Sequence, residues 1–113
     1  MYHVKITNIA EEGIFSTVKC ISFDLKANKA ANNLLDEIEK NVILLRKNPY
    51  IFPLVSDEDL EEKGIRFVLI KNYMMFYFIE EDKKNVNIIR FLYGRRDWKN
   101  ILKAEKQLAA LTR

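Results

Sequence analysis

The chain has 113 residues and a mass of 13.4 kDa, the usual size of one folded domain, so we expect residues 1–113 to form a single domain. With 49% hydrophobic and 31% charged residues, three glycines and two prolines, it is neither collagen-like, low-complexity nor intrinsically disordered. The net charge of +3 is unevenly distributed, because residues 1–62 sum to −4 and residues 63–113 to +7. The basic second half favours phosphate backbones or acidic protein surfaces as partners.

The first predicted element is a strand over residues 2–7, where apolar and polar side chains alternate. Asn8, followed three residues later by Glu11, has the pattern of a helix cap, so a helix is predicted to begin there and to run to about Leu25. Its buried face is predicted from apolar residues at helical spacing: Ile14, Val18, Ile21 and Leu25.

A second helix is predicted after a break at Asn28, and it ends before Asn48 and Pro49. Its apolar stripe consists of Ala31, Leu34 or Leu35, Ile38, Val42 and Leu45. The short connection predicts an antiparallel helical hairpin. The next loop is expected to place residues 50–52 at the edge of the core, and the acidic run 57–62 to be a solvated, flexible segment.

Three antiparallel strands are predicted over residues 65–70, 73–79 and 86–93, which are rich in β-branched and aromatic residues. Asp97 is predicted to cap a last helix with an apolar stripe of Ile101, Leu102, Leu108 and Leu111. The order β-α-α-β-β-β-α predicts an α+β fold: a small, mostly antiparallel sheet with an N-terminal helical hairpin on one face. Because the strands are apolar on both faces, the other face also needs cover.

Most enzyme classes are disfavoured, because the chain lacks nucleophile-elbow, phosphate-loop, zinc-protease, paired-cysteine and dinucleotide-binding motifs. The single histidine, His3, is expected on the strand surface, and the single cysteine, Cys20, is expected to be a small buried apolar residue. One cysteine excludes an internal disulfide and favours the cytoplasm. No metal, no cofactor and no membrane role are expected, since residues 73–79 form the longest apolar run and the N-terminus lacks a signal-peptide pattern.

Basic and aromatic residues are concentrated on the predicted sheet and just after it. They are Arg66, Tyr73, Tyr77, Arg90, Tyr93, Arg95, Arg96 and Trp98. Guanidinium groups match phosphates, and aromatic planes stack on bases. For Tyr77 the structural alternative is a core residue with its hydroxyl at the rim, and for Trp98 it is an anchor for the last helix.

Arg90 alternates in phase with Ile88 and Leu92, so it is expected to point to the same side as these apolar residues. It then needs a carboxylate, a carbonyl or a ligand as its partner. Arg95 and Arg96 follow the last strand, in a loop from which long side chains reach outward.

Residues 72–79 and 88–98, with Arg66 before them, resemble the RelE/ParE superfamily of type II toxin–antitoxin toxins. The resemblance lies in a strand with an arginine, a strand with tyrosines at positions 73 and 77, and a strand that continues into the segment from Arg90 to Asp97. The strand-to-helix junction at residues 6–11 also fits, so the resemblance covers nearly the whole chain.

This resemblance implies a growth-inhibiting toxin that takes part in plasmid stabilisation and is neutralised by a cognate antitoxin with an acidic contact segment. RelE-like members are ribosome-dependent mRNA endoribonucleases, and ParE-like members poison DNA gyrase. In the nuclease interpretation Arg66, Tyr93, Arg95 and Arg96 surround the scissile phosphate, with Tyr93 transferring the proton. In either interpretation the target-binding or nucleic-acid-binding residues are expected to be Arg66, Tyr73, Arg90, Arg95, Arg96 and Trp98.

Departures from the RelE-like pattern favour the ParE-like interpretation. Met74 and Val68 occupy places where RelE-like toxins carry basic residues. The segment from Tyr93 to Trp98 is closer to the ParE-like pattern, with Tyr93 in place of a histidine. A third alternative is an inactive member that is retained as an antitoxin-binding or regulatory module.

Overall fold

A computed structural model describes residues 1–105. Strand β1 (His3–Ile6) leads into helix α1 (Asn8–Lys19), a π-helical turn (Cys20–Asp24) and helix α2 (Asn28–Lys47). A 3-10 turn (Pro49–Ile51) and the short helix α3 (Glu58–Glu62) precede the three-stranded meander. The remaining elements are β2 (Arg66–Ile70), β3 (Tyr73–Glu80), a 3-10 turn (Glu81–Lys83), β4 (Asn85–Tyr93) and α4 (Trp98–Lys103).

The strands of residues 1–105 form one mixed sheet in the order β1-β4-β3-β2. The β2–β3 and β3–β4 pairs are antiparallel, and β1 joins β4 in parallel from His3 opposite Asn85 to Ile6 opposite Ile88. This arrangement confirms the predicted α+β fold with its helical hairpin and its antiparallel meander.

Each face of the sheet has its own apolar core. Leu34, Ile38 and Leu45 of the hairpin pack over Met75 and Tyr77 on one face. On the other face the contacts come from α3, α4 and the segment before β2, and the buried residues are Val55, Leu60, Ile65, Met74, Phe76, Ile89, Leu92 and Leu102. Both faces of the meander are therefore covered, as its two apolar faces predicted.

Two details of the hairpin differ from the sequence predictions. The cap of α1 is Thr7, whose side-chain oxygen accepts a hydrogen bond from the Ala10 amide; Asn8 is the first helical residue. After Lys19 the backbone widens into the π-helical turn, which leaves Leu25 68% exposed and Cys20 exposed at the surface. The predictions of Asn8 as the cap, of Leu25 in the buried stripe and of Cys20 as a buried residue were therefore wrong.

The acidic run forms helix α3, and its exposed side chains Glu58, Asp59, Glu61 and Glu62 form the solvated face that was predicted. The Asp57 carboxylate accepts a hydrogen bond from the Leu60 amide and so caps α3, while Leu60 itself is fully buried. Lys103 of α4 lies 3.1 Å from a carboxylate oxygen of Asp57, which ties the two short helices together. Of the stripe predicted for the last helix, Leu102 is buried in the core, and Leu108 and Leu111 lie outside the described residues.

Candidate functional site

A cavity of about 450 Å³ opens between α1 and the C-terminal half of β4. It is lined by Ile9, Glu12, Gly13, Ser16, Thr17, Tyr73, Arg90, Phe91, Leu92, Tyr93 and Arg96. Four of the residues expected at the site from the sequence, Tyr73, Arg90, Tyr93 and Arg96, therefore meet at one place. We call this the α1–β4 cavity.

The cavity exists because β1 is shorter than β4. The last β1 residue to pair is Ile6, opposite Ile88, so β4 beyond Ile88 has α1 and not a strand beside it. The helix comes very close at Gly13, where an added Cβ atom would lie 2.8 Å from the Phe91 carbonyl oxygen. Glycine at this position lets α1 lie against the strand and form one wall of the cavity.

Aromatic rings form the opposite wall. Tyr73 stacks on Phe91 with ring centroids 5.3 Å apart, and it meets Tyr93 edge-on at 5.7 Å. Burial raises the pKa of the Tyr73 hydroxyl above its ordinary value, so this group is a neutral hydrogen-bond donor at physiological pH. Tyr93 is 41% exposed and is the more accessible of the two tyrosines.

Arg90 faces the side of the sheet that carries α4. On the neighbouring strand β3 its partner is Phe76, and its guanidinium lies 2.8 Å from the Glu105 carboxylate. The sequence correctly predicted that Arg90 requires such a partner. The prediction that Arg90 and Ile88 point to the same side was wrong. Arg90 lies opposite Phe76 and Ile88 lies opposite Tyr77, so Ile89 is the extra residue of a β-bulge, and Ile88 faces the hairpin.

Arg95 and Arg96 lie in the turn between β4 and α4. The Arg96 amide donates to the Tyr93 carbonyl, and the Gly94 amide donates to the Asn72 carbonyl, so two backbone hydrogen bonds hold this turn. Both arginines are exposed, and among residues 1–105 neither has a carboxylate partner. Arg96 lines the cavity, and Arg95 extends the basic surface beside it.

Arg66 is not part of the α1–β4 cavity. Arg66 pairs with Tyr77, whereas Tyr73 of the cavity pairs with Ile70. Arg66 and Ile70 are four residues apart on β2, a separation of about 13 Å along the strand. Its guanidinium donates to the Phe52 carbonyl at 2.6 Å and lies over the Tyr50 ring. The structure therefore does not place Arg66 with Tyr93, Arg95 and Arg96 around one group.

Trp98 and Tyr77 both pack against the sheet core, Trp98 partly buried and Tyr77 fully buried. The Trp98 ring lies 5.4 Å from that of Phe76, so it anchors the start of α4. Tyr77 is fully buried, and its hydroxyl donates to the Pro49 carbonyl at 2.7 Å. Burial raises the pKa of this hydroxyl well above its ordinary value. Its hydroxyl therefore lies in the interior and not at the rim.

The cavity also contains polar residues of α1 that the sequence analysis did not select. Glu12, Ser16 and Thr17 lie on the wall opposite the tyrosines, and the Thr17 hydroxyl donates to the Gly13 carbonyl at 2.8 Å. Glu12 and Ser16 are four residues apart on the side of α1 away from its apolar stripe, and this spacing is the signal that marks the face in the sequence.

Comparison with known proteins identifies the family. The family model described as ParE toxin of type II toxin–antitoxin system, parDE, matches residues 4–98 of this chain. The chain belongs to this family. A search of curated proteins found no match for this ParE-family toxin. Within residues 1–105 no helix is long and apolar enough to cross a membrane.

Solved structures share the fold of this ParE-family toxin at low sequence identity. A chromosomal ParDE system from P. aeruginosa matches with a TM-score of 0.65 and 16% identity, over 82% of this chain and 96% of that chain. The intact E. coli RelBE toxin–antitoxin complex matches with a TM-score of 0.54 and 12% identity, over 85% of this chain and 100% of that chain. The predicted membership of the RelE/ParE superfamily is confirmed.

Proposed function

We propose that this toxin arrests bacterial growth by poisoning DNA gyrase, and that residues 1–113 form one toxin domain acting in the cytoplasm. The observation that carries the proposal is the match of residues 4–98 to the ParE family, whose members the sequence resemblance associates with gyrase poisoning. We further propose a role in plasmid stabilisation and neutralisation by a cognate antitoxin. The solved structures of similar fold are toxin–antitoxin systems, which supports such a partner.

The placement of the basic residues supports this choice over mRNA cleavage. Cleavage requires cations and a proton acceptor around one phosphate. Arg66 lies away from the α1–β4 cavity, with its guanidinium bound to the Phe52 carbonyl. Met74 and Val68, at the places of RelE-like basic residues, are buried at 8% and 4% exposure and supply no charge.

The surface we propose for target contact is the α1–β4 cavity together with the adjoining turn. Tyr73, Arg90, Tyr93 and Arg96 line the cavity, and Arg95 lies beside it. Arg95 and Arg96 are exposed and have no carboxylate partner within residues 1–105, so they are available to carboxylates or phosphates of a target. We assign Trp98 to the support of this surface through Phe76, and Arg66 to a separate part of the sheet.

A second candidate is the ribosome-dependent mRNA endoribonuclease. The observation that favours it is that Tyr93 and Arg96 share one cavity, which places a group able to transfer a proton beside a cation able to stabilise phosphate charge. In this alternative Arg96 and Arg90 stabilise the developing phosphorane charge.

The proposed surface is tested by growth inhibition after induced expression. Arg95→Ala with Arg96→Ala removes two exposed charges from the turn, and we expect at least a tenfold higher inducer level for the same growth arrest. The matched control, Lys5→Ala with Lys83→Ala, removes two exposed charges from elsewhere on the surface. Equal toxicity of the two double variants, at equal protein levels, contradicts the site.

A further inference from the structure

Arg90 differs from the other arginines of the site because its charge is neutralised within the chain. Its guanidinium lies 2.8 Å from a Glu105 carboxylate oxygen, and the two side chains are only 20% and 9% exposed. A charge-assisted hydrogen bond with this little access to water is stronger than an ion pair on the open surface. Arg90 itself lines the α1–β4 cavity, whereas Glu105 contacts Arg90 from the side of the sheet that carries α4.

Glu105 is held at this place by a small element. It follows α4, which has six residues, and its amide donates to the Leu102 carbonyl at 3.1 Å. A helix of this length is not stable by itself, so its position depends on the buried side chain of Leu102 and on the stacking of Trp98 against Phe76. Such an element opens locally at a lower free energy than the sheet.

We propose that Glu105 is an internal competitor for the anion-binding capacity of the α1–β4 cavity. With Glu105 in place, the charge of Arg90 is compensated, and among residues 1–105 Arg96 is the only cavity-lining arginine without a carboxylate partner. An anionic group of the target, either a phosphate or a carboxylate, displaces the Glu105 carboxylate and joins Arg90 and Arg96 together. The inference rests on the proposed target-binding surface but not on gyrase being the target.

The test measures the binding of inorganic phosphate at constant ionic strength. Binding is followed through the arginine side-chain Nε–H resonances in ¹H–¹⁵N spectra, which report Arg90 and Arg96 individually. We expect Glu105→Gln to bind phosphate about tenfold more tightly than the wild type, the factor that follows from removal of one competing charge-assisted hydrogen bond. The control Glu39→Gln removes the same charge from an exposed site on α2, and its affinity is expected to equal that of the wild type.

A direct measurement on the wild-type protein covers the case in which Glu105→Gln detaches α4. The single tryptophan, Trp98, reports the docking of α4 through its fluorescence, because it packs on Phe76. In the wild type the side-chain carboxyl ¹³C resonance of Glu105 must shift with the same midpoint as the Arg90 Nε–H resonance. An unmoved Glu105 resonance, equal affinities of wild type and Glu105→Gln, or no phosphate binding by either protein overturns the proposal. None of these outcomes depends on gyrase, so this inference and the gyrase assignment fail separately.

Discussion

Replacing Gly13 by alanine tests the close contact between α1 and β4 that forms the cavity wall. Glycine in a helix interior is about 1 kcal/mol less favourable than alanine, so helix propensity alone predicts stabilisation. The new Cβ atom would lie 2.8 Å from the Phe91 carbonyl oxygen, whereas a carbon–oxygen contact needs about 3.3 Å. The obstacle is backbone, so the helix itself must move by roughly 0.5 Å.

Over-packing of this kind costs about 1–3 kcal/mol, which offsets the gain in propensity. We therefore expect Gly13→Ala to lower the free energy of unfolding by up to about 2 kcal/mol and the melting temperature by up to roughly 8 °C. Urea unfolding followed by circular dichroism measures the change. Ser16→Ala, one turn further along the same wall, adds no Cβ atom and is expected to leave stability unchanged or slightly raised. A Gly13→Ala protein at least as stable as the wild type refutes the argument.

Two further changes probe the scaffold. Tyr77→Phe removes the buried hydroxyl that donates to the Pro49 carbonyl, so we expect a loss of about 1–2 kcal/mol in urea unfolding; no loss contradicts the role of this bond. Tyr2, Tyr50 and Lys84 donate hydrogen bonds to the Glu81 carboxylate, and these bonds, Lys84 first, lower its pKa to about 2. Because the folded pKa lies below the ordinary 4.5, this stabilisation is complete above pH 4.5 and is lost as the pH falls towards 2. Glu81→Gln should therefore flatten the stability profile between pH 4.5 and 2, and an unchanged slope rejects the assignment.

The fold was predictable where one periodicity extends over many residues. The stripe of α2, with Ala31, Leu34, Ile38 and Leu45 buried, follows directly from helical spacing. The meander was predictable because β-branched and aromatic residues fill its three strands between short polar turns. The ends of elements were less predictable: Thr7 and Asn8 are both good caps, and the tertiary contacts of β1 decide between them.

The features that the sequence analysis missed depend on contacts between residues far apart in the chain. Helix α3 exists because Leu60 is buried beneath the second face of the sheet, and an acidic run of six residues contains no local signal of that burial. The bulge at Ile89 shifts the side-chain phase of β4, so period-two counting placed Ile88 on the wrong face. The cavity wall depends on the contact between Gly13 and Phe91, which are far apart in the sequence, so local residue spacing does not predict it.

The sequence identified four of the residues that line the cavity because aromatic and basic residues are concentrated near the end of β4. It did not separate Arg66 from them, because register determines that Arg66 pairs with Tyr77 at the other end of β2. The sequence predicted that Arg90 needs a carboxylate, a carbonyl or a ligand as its partner, and the structure shows which of these it is, the carboxylate of Glu105.

The central claim, that this toxin acts on DNA gyrase, is tested most directly by pulse labelling in bacteria during the first minutes after induced expression. DNA synthesis and protein synthesis are followed separately, with the Arg95→Ala, Arg96→Ala double variant as the matched control. The proposal predicts an early loss of DNA synthesis while protein synthesis continues. Early loss of protein synthesis with new mRNA ends contradicts it and indicates the endoribonuclease, and no loss of either indicates an inactive antitoxin-binding module.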